Sequence, residues 1–141
     1  MSEKKDSKNN RIWIAGLSIM LLFVAVIAHS ARTERHYRLS SAEHLTLVID
    51  SISYRSDLTR VYGKFIGTPH TSQKVKELLI ESNGHTYKST DIDGVDFDRW
   101  FQWEDDGIIP VEIDFAKMPV IKRGKMAIVT ARGTDVCTIS R

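Results

Sequence analysis

The residues that could do chemistry are acidic, and they are crowded. Asp91, Asp93, Asp96 and Asp98 fall within eight positions of one another. Clustered carboxylate oxygens are what a hard cation such as calcium requires. The spacing is not that of an EF-hand, because Gly94 falls at position 4 of such a loop and no Glu stands at position 12. A looser cation site on the Asp-rich segment 91–98 is the alternative functional reading. The plain reading is a solvated acidic turn, and no metal ligand is assigned.

Other catalytic signatures are missing. His29, His36, His44, His70 and His85 are scattered, with no HExxH and no Cys/His pair at zinc spacing. The chain has no GxSxG, no P-loop and no GxGxxG, so neither an enzyme nor a cofactor is expected. Cys137 lies in a β-rich terminal stretch where a thiol is expected to be buried and inert, and as the single Cys it can form no intramolecular disulfide.

Charge is the next signal. Residues 91–106 hold seven acids and one base, Arg99, while residues 117–132 hold five bases and no acid. Opposite ends of a domain with this bias would steer a charged partner; neighbouring segments would neutralise each other, which is the commoner arrangement on surfaces. The net charge is only +2, with residues 1–38 at +4 and the remaining 103 at −2. Nucleic acid is therefore not the expected partner.

Within the acidic stretch lies Phe97-Asp98-Arg99-Trp100-Phe101-Gln102-Trp103. Alternation puts Phe97, Phe101 and Trp103 on one face, as core candidates, and Trp100 on the other. A Trp among charged neighbours has the composition of an interface anchor. The expected partner-binding surface is Trp100 with Asp96, Asp98, Glu104, Asp105 and Asp106.

The elements that must present this surface are strands. From His44 the apolar period is two: Leu45, Leu47 and Ile49 alternate with polar or outward positions, and the run continues to Tyr54. Leu58–Thr68 is β-rich and ends at Gly67-Thr68-Pro69. Val75–Glu81 fits helix or strand by period, but Asn83-Gly84 followed by His85-Thr86-Tyr87 favours a hairpin, because Asn-Gly supplies the positive φ values of a tight turn. Ile109, Val111, Ile113 and Phe115 form the clearest strand, with Pro110 expected at a sheet edge or strand start. Residues 125–132 and 136–140 complete the set. About seven short strands in residues 44–141 predict an all-β domain, an immunoglobulin-like β-sandwich.

The N-terminal part is different. Residues 1–11 form a basic tail with Lys4, Lys5, Lys8 and Arg11. Ile12–Ala28 is uncharged over 17 residues, longer than the h-region of a cleaved signal peptide and just long enough to span, so residues 12–29 are expected to be a transmembrane signal-anchor helix. Residues 30–43, with Arg32, Arg35 and Arg38 and no Pro or Gly, are expected to be a stalk. The basic residues favour a cytoplasmic N-terminus by a narrow margin, four before the span against three after it. These features predict a single-pass protein of the cell inner membrane. Its β-domain would be extracytoplasmic, periplasmic in a Gram-negative cell, and would bind another protein as an accessory, inhibitory or immunity-type component of an envelope complex.

Overall fold

The computed structural model describes residues 31–141, and the expected tail and signal-anchor helix, residues 1–11 and 12–29, lie outside them. Among the described residues no helix is long and apolar enough to cross a membrane. The described chain is all β: β1 (Arg32–Arg35), β2 (Arg38–Leu39), β3 (Thr46–Tyr54), β4 (Leu58–Ile66), β5 (Ser72–Gln73), β6 (Val75–Ser82), β7 (His85–Asp93), β8 (Phe101–Gln102), β9 (Ile108–Ala116), β10 (Gly124–Thr130) and β11 (Gly133–Ser140).

Nine of these strands form one curled antiparallel sheet in the order β1-β3-β4-β9-β7-β6-β10-β11-β2, and β5 pairs with β8 separately. The curl turns on β7. Its first half, His85–Lys88, pairs with β6, and its second half, Ser89–Asp93, pairs with β9. Where the ladder to β6 ends, the Ser89 hydroxyl accepts the Leu78 N–H at 3.0 Å, so the break leaves no buried donor unpaired there. The two halves of the sheet enclose one core. Val61, Phe65, Ile113 and Phe115 come from one half and Leu78, Ile80, Met126, Ile128 and Ile139 from the other, all essentially without solvent contact. Their alternation with exposed neighbours is what period-two patterning produces when one face of a sheet is buried.

The β6–β7 hairpin turns at Asn83 (φ 52°) and Gly84 (φ 76°), as the Asn-Gly pair predicts. Pro110 sits third in β9, an interior strand, opposite Lys64 of β4. The Pro110 carbonyl points towards Gly94, just past the end of β7. In an antiparallel ladder N and C=O of one residue share a side, so the missing N–H falls where no partner strand remains.

The segment expected as a stalk is instead part of the domain. Residues 32–35 pair with β3, Arg32 opposite Tyr54, and Arg38–Leu39 pair with the end of β11. Between them His36 turns the chain at φ 70° and drives Tyr37 inward to 5% exposure. The Tyr37 hydroxyl donates to Ile121 O at 2.9 Å, so the 2.7 Å bond between the two hydroxyls has Tyr54 as donor; Tyr54 in turn accepts the Ile121 N–H at 3.0 Å. Arg32, Arg35 and Arg38, which give this stretch a stalk-like look, stand exposed on edge strands, and one buried tyrosine fixes it.

Candidate functional site

Trp100 stands half exposed, at 51%, at the mouth of the short β5–β8 ladder. That ladder pairs Ser72 with Gln102 and Gln73 with Phe101. Continued one step, the same register sets Lys74 opposite Trp100, and the Lys74 ammonium lies 5.6 Å from the indole centroid. Backbone bonds extend the framework in both directions. The Asp98 N–H donates to Val75 O at 2.9 Å, the Trp103 N–H to Thr71 O at 3.1 Å and the His70 N–H to Trp103 O at 2.8 Å.

On the other side of β5 the β10–β11 turn docks. Its Ala131 N–H donates to Lys74 O at 2.9 Å, and Arg132 Nε donates to Ser72 O at 3.1 Å. This docking carries the Arg132 guanidinium to 5.3 Å from the Trp100 ring. Two cations therefore share one exposed indole, a geometry in which the ring quadrupole attracts each of them.

Beneath this surface Trp103 is buried, and its indole N–H donates to Phe65 O at 3.1 Å. Phe101 stacks on Phe65 at 6.0 Å and meets Trp103 edge-on at 5.2 Å. Phe97 packs partly buried against the same core. The expected division of this segment into two faces is present, although only Phe101–Gln102 is a regular strand and residues 94–100 form bends and turns. The loop reaches the same division through Asp98, whose φ of 58° redirects the chain before Trp100.

The acidic residues lie on either side of β8; the carboxylates of Asp91, Asp96, Asp105 and Asp106 have partners within the chain, and those of Asp93, Asp98 and Glu104 have none among the described residues. Asp96 Oδ2 accepts Arg99 Nη1 at 3.2 Å, and Asp105 Oδ1 lies 2.8 Å from His70 Nε2. Asp106 Oδ1 accepts the Ile108 N–H at 3.2 Å, and Glu104 O accepts the Gly107 N–H at 3.1 Å, closing the turn. Asp91 Oδ1 accepts the Ile92 N–H at 2.9 Å. Asp93 faces Glu112 across the β7–β9 ladder. Among the described residues no group of three or more His, Cys, Asp or Glu side chains converges to hold a metal ion.

Two of the five bases of residues 117–132 lie at opposite ends of β10. Arg132 is at Trp100, whereas the Arg123 carbonyl accepts from Ser82 Oγ beside the β6–β7 hairpin, at the opposite end of β10.

Beside Arg132 a recess of about 460 Å³ opens, with Trp103, Gln73, His44 and Thr68 among its walls. Gln73 is 1% exposed with both polar atoms of its amide bonded, Nε2 donating to His44 O and Oε1 accepting the Lys74 N–H, both at 3.0 Å. His44 Nδ1 lies 2.9 Å from Asp135 Oδ1. An Asp–His pair in a cleft is a familiar element of acid–base catalysis, but here the same carboxylate accepts backbone N–H bonds from Glu43 (3.2 Å), His44 (2.9 Å) and Leu45 (3.0 Å). Burial works against the charge of Asp135, and these bonds outweigh it, holding its pKa below the ordinary aspartate value. Its visible work is to clamp the start of β3 onto β11. Sequence reasoning singled out neither Asp135 nor the contacts of Lys74 and Arg132, since each joins residues far apart in the chain.

No protein-family model, curated protein or solved structure matches this chain.

Proposed function

We propose that the chain is a single-pass membrane protein whose extracytoplasmic all-β domain binds another protein. It acts as a non-catalytic accessory, inhibitory or immunity-type component of an envelope complex, and Trp100 is the centre of its contact surface. The observation that carries this reading is a large aromatic side chain held half exposed on a hydrogen-bonded framework, with two cations over its ring. Such preorganised Trp and Arg residues are the types that dominate binding energy at interfaces. The uncharged run Ile12–Ala28 supports the anchor, which would confine the domain near membrane-bound partners and raise its effective concentration for them.

The test has two parts. Protease added outside intact cells, and then after the outer barrier is opened, should digest the domain before the inner membrane is lysed. A photoreactive side chain at Gln102, exposed beside Trp100, should then crosslink to a discrete envelope protein. Protection until inner-membrane lysis would overturn the topology, and the absence of any discrete crosslink would overturn the partner-binding role.

A further inference from the structure

Lys74 and Arg132, the two cations at the Trp100 ring, have no carboxylate partner among the described residues, and neither do the exposed carboxylates of Asp98 and Glu104 have a cation. Asp96 is paired with Arg99, and Asp105 Oδ1 lies 2.8 Å from His70 Nε2, but no ion pair joins Lys74 or Arg132 to a carboxylate among the described residues. Arg132 donates from Nε to Ser72 O at 3.1 Å and from Nη2 to Ser72 Oγ at 3.5 Å, and its Nη1 has no hydrogen-bond partner among the described residues. Lys74 Nζ has none either among the described residues; its main chain, not its side chain, ties it to Gln73 and Ala131.

We infer that the partner segment seated on Trp100 is an acidic peptide, whose carboxylates pair with Lys74 and Arg132 while its apolar part covers the indole. This rests on the partner-binding reading of Trp100. A guanidinium with free N–H groups is suited to a carboxylate, and an arginine with a neighbouring cation is a recurrent device for reading acidic motifs. The recess beside Arg132, which carries one acid, Glu43, gives the apolar part of the segment somewhere to extend, over Trp103 and Thr68. An anionic membrane surface is a poorer fit. Asp98 and Glu104 stand exposed in the same segment as Trp100 and would be repelled by a continuous sheet of negative charge, whereas a peptide can place its carboxylates at the two cations alone.

The experiment uses the full chain in a non-ionic detergent, with ¹⁵N-labelled indole groups and the Trp100 Nε1–H resonance assigned through Trp100→Phe. Acetylated hexaglutamate is titrated, with hexaglutamine and hexalysine as controls. Hexaglutamate should shift the Trp100 resonance saturably, hexaglutamine and hexalysine should not, and added salt should weaken the effect. The double variant Lys74→Gln/Arg132→Gln should bind about tenfold more weakly, the sum of two exposed ion pairs.

Equal shifts with hexaglutamine or hexalysine, or a response indifferent to the double variant, would overturn the inference. So would a shift produced instead by phosphatidylserine added to the micelles, which would make the surface a membrane contact. A crosslink at Gln102 without a response to hexaglutamate would sink this inference and leave the partner-binding role standing; loss of both would sink that role as well.

Discussion

The carboxylate of Asp135, on β11, accepts the backbone N–H of His44 at 2.9 Å and so fastens the entry of β3 across the seam of the curled sheet. The sheet has no ladder between β3 and β11. A single buried side chain therefore supplies, with three backbone donors and one imidazole, what a strand pairing would otherwise supply.

This clamp makes stability depend on acid in a definite direction. The folded-state pKa of Asp135 lies below its ordinary value of 3.8, so the stabilisation is complete above that value and is lost as pH falls through the lower, folded-state one. Asp135→Asn should remove this component of acid unfolding and cost about 2 kcal/mol at neutral pH, since only one acceptor oxygen remains for four donors. Urea unfolding of both proteins from pH 7 down to pH 3 checks it; parallel pH profiles would show that the carboxylate is not what holds the seam.

The buried tyrosine pair sets the alkaline side. Burial first, and then the hydrogen bond to Tyr37, push the Tyr54 pKa above its ordinary 10.0. The folded state keeps the phenol proton that the unfolded chain releases, so its contribution is complete below pH 10 and declines as pH climbs beyond it. Tyr54→Phe should lose that alkaline slope. It should also be less stable at pH 7 by about 1–3 kcal/mol, because the Ile121 N–H and the Tyr37 hydroxyl lose a partner in a dry site.

Two glycines should respond to alanine for different reasons. At Gly67 a Cβ would overlap the Trp103 ring atoms Cδ2, Cε2 and Cε3, so Gly67→Ala should cost about 1–3 kcal/mol by overpacking. At Gly84 a Cβ would meet nothing within 4 Å, and the cost of Gly84→Ala, about 1 kcal/mol, comes from the left-handed backbone alone. Gly84→Asn should recover most of it, while no residue larger than glycine should restore Gly67. Denaturant midpoints of the four proteins distinguish steric from conformational cost.

What could be read from the sequence follows the range of the interactions involved. Alternation over Leu45–Tyr54, Leu58–Ile66 and Ile109–Phe115 is local and reports a buried sheet face directly, and Asn83-Gly84 reports its own turn. The segment 32–39 carried no such signal, because its place is set by Tyr37 reaching Tyr54 and Ile121. A continuous sheet in place of two separate ones depends on β7 pairing on both sides, which no local pattern records. The exposure of Trp100 was legible from its neighbours. Its cations were not, since Lys74 and Arg132 arrive through the β5–β8 register and a docked turn; of the acids that look available in sequence, Asp96, Asp105 and Asp106 meet Arg99, His70 and a backbone N–H, while the Asp98 and Glu104 carboxylates have no partner among the described residues.

The central claim, that Trp100 is an anchor for a partner and not a support of the fold, is tested most directly by pairing Trp100→Ala with Trp103→Ala. Each is scored for its melting temperature and for crosslinking from Gln102 in native membranes. Trp100→Ala should leave the melting temperature unchanged and abolish most of the crosslink, whereas Trp103→Ala should lose about 3–5 kcal/mol of stability through the cavity it leaves. A Trp100→Ala protein that melts as early as Trp103→Ala, or that crosslinks as well as the parent chain, would contradict the account.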